Sequence, residues 1–196
     1  MEDYIVAPDT YSTERFTLRS FMPDDGPRFM AARNASFEHC KQYRRWEEKE
    51  RSAEYCEKYV RLARARYLLA EDFAVGVFSP DGQTMLGETS FNVRNGHAIF
   101  VRSAQMGMWI AASQAGQGLG TAVLRGMIDW GFKKWPWDRL AWMCDHRNTA
   151  SFRIAEKSGM QHEGVLRSFL WYKDGPKQDL VCFGILREEW ERDNKE

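Results

Sequence analysis

Met106 to Phe132 reads MGMWIAASQAGQGLGTAVLRGMIDWGF, and three kinds of sequence meet in it. The apolar run from Met106 to Ala112 has the length of a buried strand. A glycine-dense turn follows, Ala115-Gly116-Gln117-Gly118-Leu119-Gly120-Thr121. Beyond it, Leu124, Met127, Ile128 and Phe132 recur at helical spacing and define one apolar face. Strand, glycine turn and helix together present backbone N–H groups to an anion. The first N–H groups of a helix have no intrahelical acceptor and sit at the positive end of its dipole. Glycine lets a phosphate approach that backbone with no Cβ in the way. Two phosphate-loop patterns are excluded. A nucleotide P-loop ends in Gly-Lys-Ser/Thr, whereas Gly120 is followed by Thr121 and Ala122, and Gly116, Gly118 and Gly120 give G-x-G-x-G rather than the dinucleotide G-x-G-x-x-G.

The rest of the chain suits one α/β domain. It has 196 residues, 43% of them hydrophobic, which is enough for a single core. Its 28 basic and 28 acidic residues balance, which argues against broad nucleic-acid binding. Cys40, Cys56, Cys144 and Cys182 form no CxxC and stand beside no histidine cluster, so neither zinc nor a disulfide framework is expected. With no leader-like segment and no apolar run near membrane length, the expectation is a cytoplasmic protein with reduced thiols.

In chain order, Glu14 to Phe21 alternates like a strand, and Asp24-Asp25-Gly26-Pro27 is expected to cap a helix carrying Phe29, Met30 and Ala32. Within Cys40 to Trp46 lies the aromatic and basic patch KQYRRW. Glu50 to Leu68 is a charged amphipathic helix with Tyr55, Tyr59, Leu62 and Ala63 expected inside. Phe73 to Phe78 and Met85 to Val93 read as a hairpin, with Asn95-Gly96 marking another turn. After the glycine loop and its helix, Trp135-Pro136 breaks the pattern and Arg139 to Asp145 is a strand. Asn148 to Ser158 is helical, with Gly159 suited to follow its end. Phe169 to Lys173 and Leu180 to Leu186 are expected to close the chain as a hairpin around Asp174-Gly175-Pro176.

This order, and several motifs within it, resemble the GNAT superfamily of N-acetyltransferases, across about residues 14–190. Gly118-x-Gly120 resembles the Arg/Gln-x-x-Gly-x-Gly/Ala loop that holds the acetyl-coenzyme A pyrophosphate. This chain departs from it at the first position, where Ala115 stands with Gln114 one place early. Within the superfamily, Glu14-Arg15-Phe16-Thr17-Leu18-Arg19 resembles the "ERLxLR" opening of the RimJ/RimL branch, which acetylates ribosomal-protein N-termini. Gly107-Met108-Trp109-Ile110 resembles its "LGYWL" strand, and Asn148-Thr149-Ala150-Ser151 with Ala155-Glu156-Lys157-Ser158-Gly159-Met160 its "N-x-x-S…A-x-K-x-G-F". Glu163-Gly164-Val165-Leu166-Arg167 resembles "EGxLR", and Lys173-Asp174-Gly175 with Asp179 and Val181 the closing hairpin.

The resemblance implies a single GNAT domain over residues 1–196, of mixed α/β class. Its sheet would be central and mostly antiparallel, with a splayed pair of parallel strands flanked by helices. It implies direct attack of an amine on the acetyl thioester, with acetyl-coenzyme A as donor and no metal. Backbone N–H groups of Gln117, Gly118, Leu119, Gly120 and Thr121 would hold the pyrophosphate. Trp109, Ile110 and Ala111 would pair with the pantetheine arm, and the Ile110 N–H would bind the thioester oxygen. Asn148 would offer its amide to the same arm or cap the helix, and Ser151 would protonate the leaving thiolate or be an ordinary helical serine.

Two places where relatives carry a glutamate hold Leu170 and Gln105 here, so Glu88 is the remaining candidate for proton relay beside a plain salt-bridge role. His39, His97, His146 and His162 read as surface residues. Arg44, Arg45, Trp46 and Trp171 are candidates for the acceptor groove. A site without a firm base suits an α-amine, roughly a tenth or more neutral at pH 7, better than lysine at under about 0.1%. The acceptor expected is a protein N-terminus. The alternatives are a small amine of the antibiotic, polyamine or aminoacyl-nucleotide type, or a non-catalytic coenzyme A sensor. The chain is expected to be a monomer or homodimer, with no membrane partner.

Overall fold

The computed structural model describes residues 6–44, 46, 48–93, 102–170 and 177–194. The expected turns at Asn95-Gly96 and Asp174-Gly175-Pro176, and Arg45, His97 and Trp171, lie outside the described residues. Among the described residues, eight strands form one sheet: β1 (Thr10–Ser12), β2 (Thr17–Ser20), β3 (Phe73–Phe78), β4 (Met85–Asn92), β5 (Ser103–Ile110), β6 (Arg139–Asp145), β7 (Gln161–Leu170) and β8 (Gln178–Leu186). They lie in the order β1-β2-β3-β4-β5-β6-β8-β7. Every pairing is antiparallel except β5 with β6. The helices are α1 (Gly26–Ala35), the short α2 (Phe37–Cys40), α3 (Ala53–Leu68), α4 (Leu119–Lys134), α5 (Thr149–Lys157) and α6 (Arg187–Asp193).

Each sheet face has its own core. On one, Leu18, Val75, Val77, Phe91 and Met106 pack against Leu124, Met127 and Trp130 of α4 and Ala155 of α5. On the other, Phe21, Phe78, Met85 and Trp109 pack against Phe29 of α1 and Cys56, Val60 and Ala63 of α3. The α4 face is the expected one: Leu124, Met127, Ile128 and Phe132 are all buried. Burying each such side chain contributes roughly 1.5–3 kcal/mol, which is why this face fixes how the helix lies.

Three expectations change. The inner face of α3 is Cys56, Val60, Ala63 and Tyr67, while Tyr55 and Leu62 are about half exposed. Cys56, Val60 and Ala63 are smaller than the Tyr55 and Leu62 expected inside, and Tyr67 supplies the bulk further along the helix. Asp25 makes no side-chain cap on α1. Its carboxylate takes the Arg19 guanidinium at 2.6 and 2.9 Å and the Met22 N–H at 2.8 Å. Glu57, reaching across from α3, accepts the Gly26 and Asp24 N–H groups in its place. The closing hairpin begins at Gln161 rather than Phe169. β7 is an edge strand exposed along both faces, so its sequence carries no apolar alternation to mark it.

Candidate active site

The opening in the sheet follows from the pairing of β5. Its parallel register with β6 runs from Ser103 opposite Arg139 to Met106 opposite Trp142 and stops there. Both strands continue. β5 stays with β4 as far as Ile110 opposite Gly87, and β6 stays with β8 as far as Asp145 opposite Leu180. Each strand follows its outer neighbour, so the two diverge and leave a wedge between them.

The backbone of β5 decides what lines that wedge. The Ala111 N–H donates to the Leu86 carbonyl at 2.8 Å, toward β4. Successive residues of a strand direct their N–H groups to alternate sides. Trp109 and Gly107 therefore also face β4, and Met108 and Ile110 face the wedge. Of the three residues expected to meet the pantetheine arm, Ile110 has its backbone on the open side, while those of Trp109 and Ala111 point to β4. Met108 joins Ile110, an alternation legible only once the register is known.

The glycine loop closes the end of the wedge. β5 runs into a single 3-10 turn, Ala112–Gln114, tied to the end of α1 by the Ser36 hydroxyl, which accepts the Ala112 N–H at 3.0 Å. Gly118 precedes the first residue of α4 at φ 75°, in the left-handed region. Nothing lies within 4 Å of where its Cβ would be, so the approach to the helix N-terminus is open. Gly120 differs: a Cβ there would come within 2.9 Å of Ile154 Cδ1, so it permits α4 and α5 to approach. The first N–H groups of the sixteen-residue α4, from Leu119, Gly120 and Thr121, have no acceptor within the helix. Gln117 is held beside them, its carbonyl accepting Arg15 at 3.1 Å and its side chain donating to the Ser113 carbonyl at 2.9 Å. The donor set is backbone, uncharged and at the positive end of a dipole, which fits a pyrophosphate.

Ser151 and Asn148 lie at the start of α5. Asn148 is its N-cap, with Oδ1 accepting the Ser151 N–H at 3.0 Å. The Ser151 hydroxyl accepts the Trp142 indole N–H at 3.0 Å, so its own proton points away from the indole. Burial pushes the neighbouring Cys144 thiol up, and the hydrogen bond with Ser151 works against that rise. Trp142 was not singled out from the sequence, where nothing separates it from a core tryptophan.

Glu88 sits opposite Trp109 in the β4–β5 register, on the α1/α3 face. Among the described residues it forms no ion pair. Its Oε1 accepts the Tyr59 hydroxyl, and its Oε2 accepts the Trp109 indole N–H at 2.8 Å. Trp46 packs edge-on to Trp109, with ring centroids 5.3 Å apart. Ser151, bonded to Trp142, belongs to the α4/α5 face, so Glu88 and Ser151 lie on opposite faces of the sheet with the wedge between them. Gln105 is opposite Asn92 and Ala141, within the closed part of the sheet, and Leu170 ends β7 opposite Gln178. His39, His146 and His162 are exposed. A separate cleft of about 680 Å³, lined by Tyr11, Phe16, Arg125 and Trp190 among others, contains no residue of β5 or β6. Among the described residues there is no group of His, Cys, Asp or Glu fit to hold a metal, and no helix long and apolar enough to cross a membrane.

Known proteins resemble this arrangement. The family model described as "Acetyltransferase (GNAT) domain" matches residues 15–161. "Putative ribosomal N-acetyltransferase YdaF" of Bacillus subtilis (strain 168) is 36% identical over 90 residues, covering 46% of this chain and 49% of that protein. The chain thus spans about half the length of this relative. Among solved structures, RimL, a ribosomal L7/L12 alpha-N-protein acetyltransferase in complex with coenzyme A, is 19% identical with a TM-score of 0.81, covering 92% of this chain and 99% of that one. RimJ of Mycobacterium smegmatis, in complex with CoA-disulfide, is 24% identical with a TM-score of 0.81, covering 93% and 89%. These two likenesses speak for the fold, and the names of the relatives agree with the RimJ/RimL resemblance. The matched residues take in the glycine loop, the splayed strands and the helix of Ser151, and the chain belongs to the GNAT family of N-acetyltransferases.

Proposed function

We propose that this protein transfers the acetyl group of acetyl-coenzyme A to the α-amino group of a polypeptide N-terminus. The observation that carries this reading is the wedge between β5 and β6, with a hydroxyl donor on one sheet face and a carboxylate on the other. The backbone N–H groups around Gly118 would hold the pyrophosphate, and Met108 and Ile110 would pair with the amide-bearing arm as an added strand. The Ile110 N–H would donate to the thioester oxygen, where negative charge grows as the amine attacks.

The proton account then balances. The acceptor enters from the α1/α3 face, and its nitrogen forms a bond to the carbonyl carbon while the C–S bond breaks. Glu88 takes the proton released from nitrogen, directly or through water. Ser151 supplies a proton to the departing sulfur and recovers one from solvent. The cap at Asn148 keeps its amide NH₂ available to the pantetheine arm.

An α-amine is the favoured acceptor because its ordinary pKa, about 7.7–8.0, leaves a useful neutral fraction before Glu88 acts. The names of the relatives, as ribosomal-protein N-acetyltransferases, support the same class. The test is thiol release from acetyl-coenzyme A on adding a panel of peptides with free N-termini. Turnover with a subset of N-terminal residues is expected. Tight acetyl-coenzyme A binding with no turnover on any amine would mean a sensor instead.

A further inference from the structure

The proton relay rests on a carboxylate with an unusual setting. Glu88 has both oxygens engaged by neutral donors, Tyr59 from α3 and Trp109 from its own sheet, and it forms no ion pair among the described residues. Tyr59 is held by the aromatic rings on this face. Its ring lies 4.7 Å from Phe29 and 6.2 Å from Phe21, centroid to centroid, which leaves the hydroxyl one direction to point. The Trp109 indole is fixed in the same way by Phe29 at 6.1 Å and Trp46 at 5.3 Å. Neither donor can take the proton that the reaction releases. The indole has no acceptor lone pair in its plane. Burial first, and then the charge and hydrogen bond of Glu88, push the Tyr59 phenol well above its ordinary value. The other ionisable groups facing this cluster are Arg44 and Asp72, which act on the phenol in opposite senses, and the buried thiols of Cys40 and Cys56.

We infer that Tyr59 is the positioning residue that aims the Glu88 carboxylate at the acceptor side of the wedge. Resting on the proposed role of Glu88, this adds a second residue, on a different element, that the reaction needs without touching substrate. The Tyr59 hydroxyl thus fixes the direction of the Glu88 carboxylate, and the lone pairs that Tyr59 and Trp109 leave free are those available to the proton that the attacking amine releases.

Tyr59→Phe keeps the ring packing and removes only the donor. The Glu88 carboxyl is followed by carbon NMR in protein labelled at glutamate carboxyls, its signal identified by its loss in Glu88→Gln. In Tyr59→Phe its resonance at fixed pH should move, since the carboxylate loses the hydrogen bond from the Tyr59 hydroxyl. Turnover should fall about tenfold or more from the loosened geometry, with acetyl-coenzyme A affinity unchanged. An unmoved resonance, or undiminished turnover, overturns the inference. If Glu88→Gln is inactive while Tyr59→Phe is normal, only the role of Tyr59 fails. If Glu88→Gln itself turns over normally, the proposed relay fails and Tyr59 with it.

Discussion

Gly118 and Gly120 stand two residues apart in one motif yet serve different ends. Gly118 holds a left-handed φ in open space, and Gly120 makes room for Ile154. Gly118→Asp is therefore the cleaner probe of the anion site, because aspartate tolerates φ > 0 better than most residues and here meets no neighbour. It should weaken acetyl-coenzyme A binding at least about a hundredfold by setting a negative charge beside the pyrophosphate. Isothermal titration checks this, and unchanged affinity would move the pyrophosphate elsewhere. Gly120→Asp should abolish binding too, but with a loss of stability from the clash.

Ser151→Ala should lower kcat about ten- to a hundredfold with a smaller change in the KM for acetyl-coenzyme A, because its proton matters as sulfur leaves. The effect has a ceiling, since a thiolate with an ordinary pKa near 8.5 leaves readily without help. Steady-state kinetics at saturating acceptor measure it, and wild-type turnover would return Ser151 to a packing role. The sequence motif offered Ser151 and Asn148 but not Trp142. The indole matters only through a hydrogen bond across nine residues, which no local pattern encodes.

At the scale of elements, the strand, loop and helix from Met106 to Phe132 were legible because each obeys a local rule. What was illegible depends on neighbours. The face of α3 is set by its packing against the sheet, the extent of β7 by its having no cover, and the open side of β5 by register with β4. The segment between α2 and α3 belongs to this class. Arg33, buried on α1, donates to the carbonyls of Glu48 and Lys49 and lies 4.8 Å from the Trp46 ring. Asn34 exchanges hydrogen bonds with the backbone of Arg51, both at 3.1 Å. These contacts strap Trp46 over Trp109 beside Glu88. Arg33→Leu should cost about 2 kcal/mol in urea unfolding, from charged hydrogen bonds lost. It should also raise the acceptor KM with little change in acetyl-coenzyme A affinity. An unaltered acceptor KM would detach this segment from acceptor binding.

Across the whole molecule, the two faces of the sheet divide the labour. The α4/α5 face carries the anion loop and Ser151, and the α1/α3 face carries Glu88, Tyr59 and Trp46. In the proposed function the wedge is the passage between them. The proposed function asks for an amine that is partly neutral near pH 7 and enters from the carboxylate side. The most direct test compares two peptides of the same sequence under saturating acetyl-coenzyme A. One has a free N-terminus and its lysine blocked, and the other has a blocked N-terminus and a free lysine. Thiol release should occur with the first and fall to background with the second, its rate rising with pH around 8 as the α-amine loses its proton. Equal release from the lysine peptide would contradict the account.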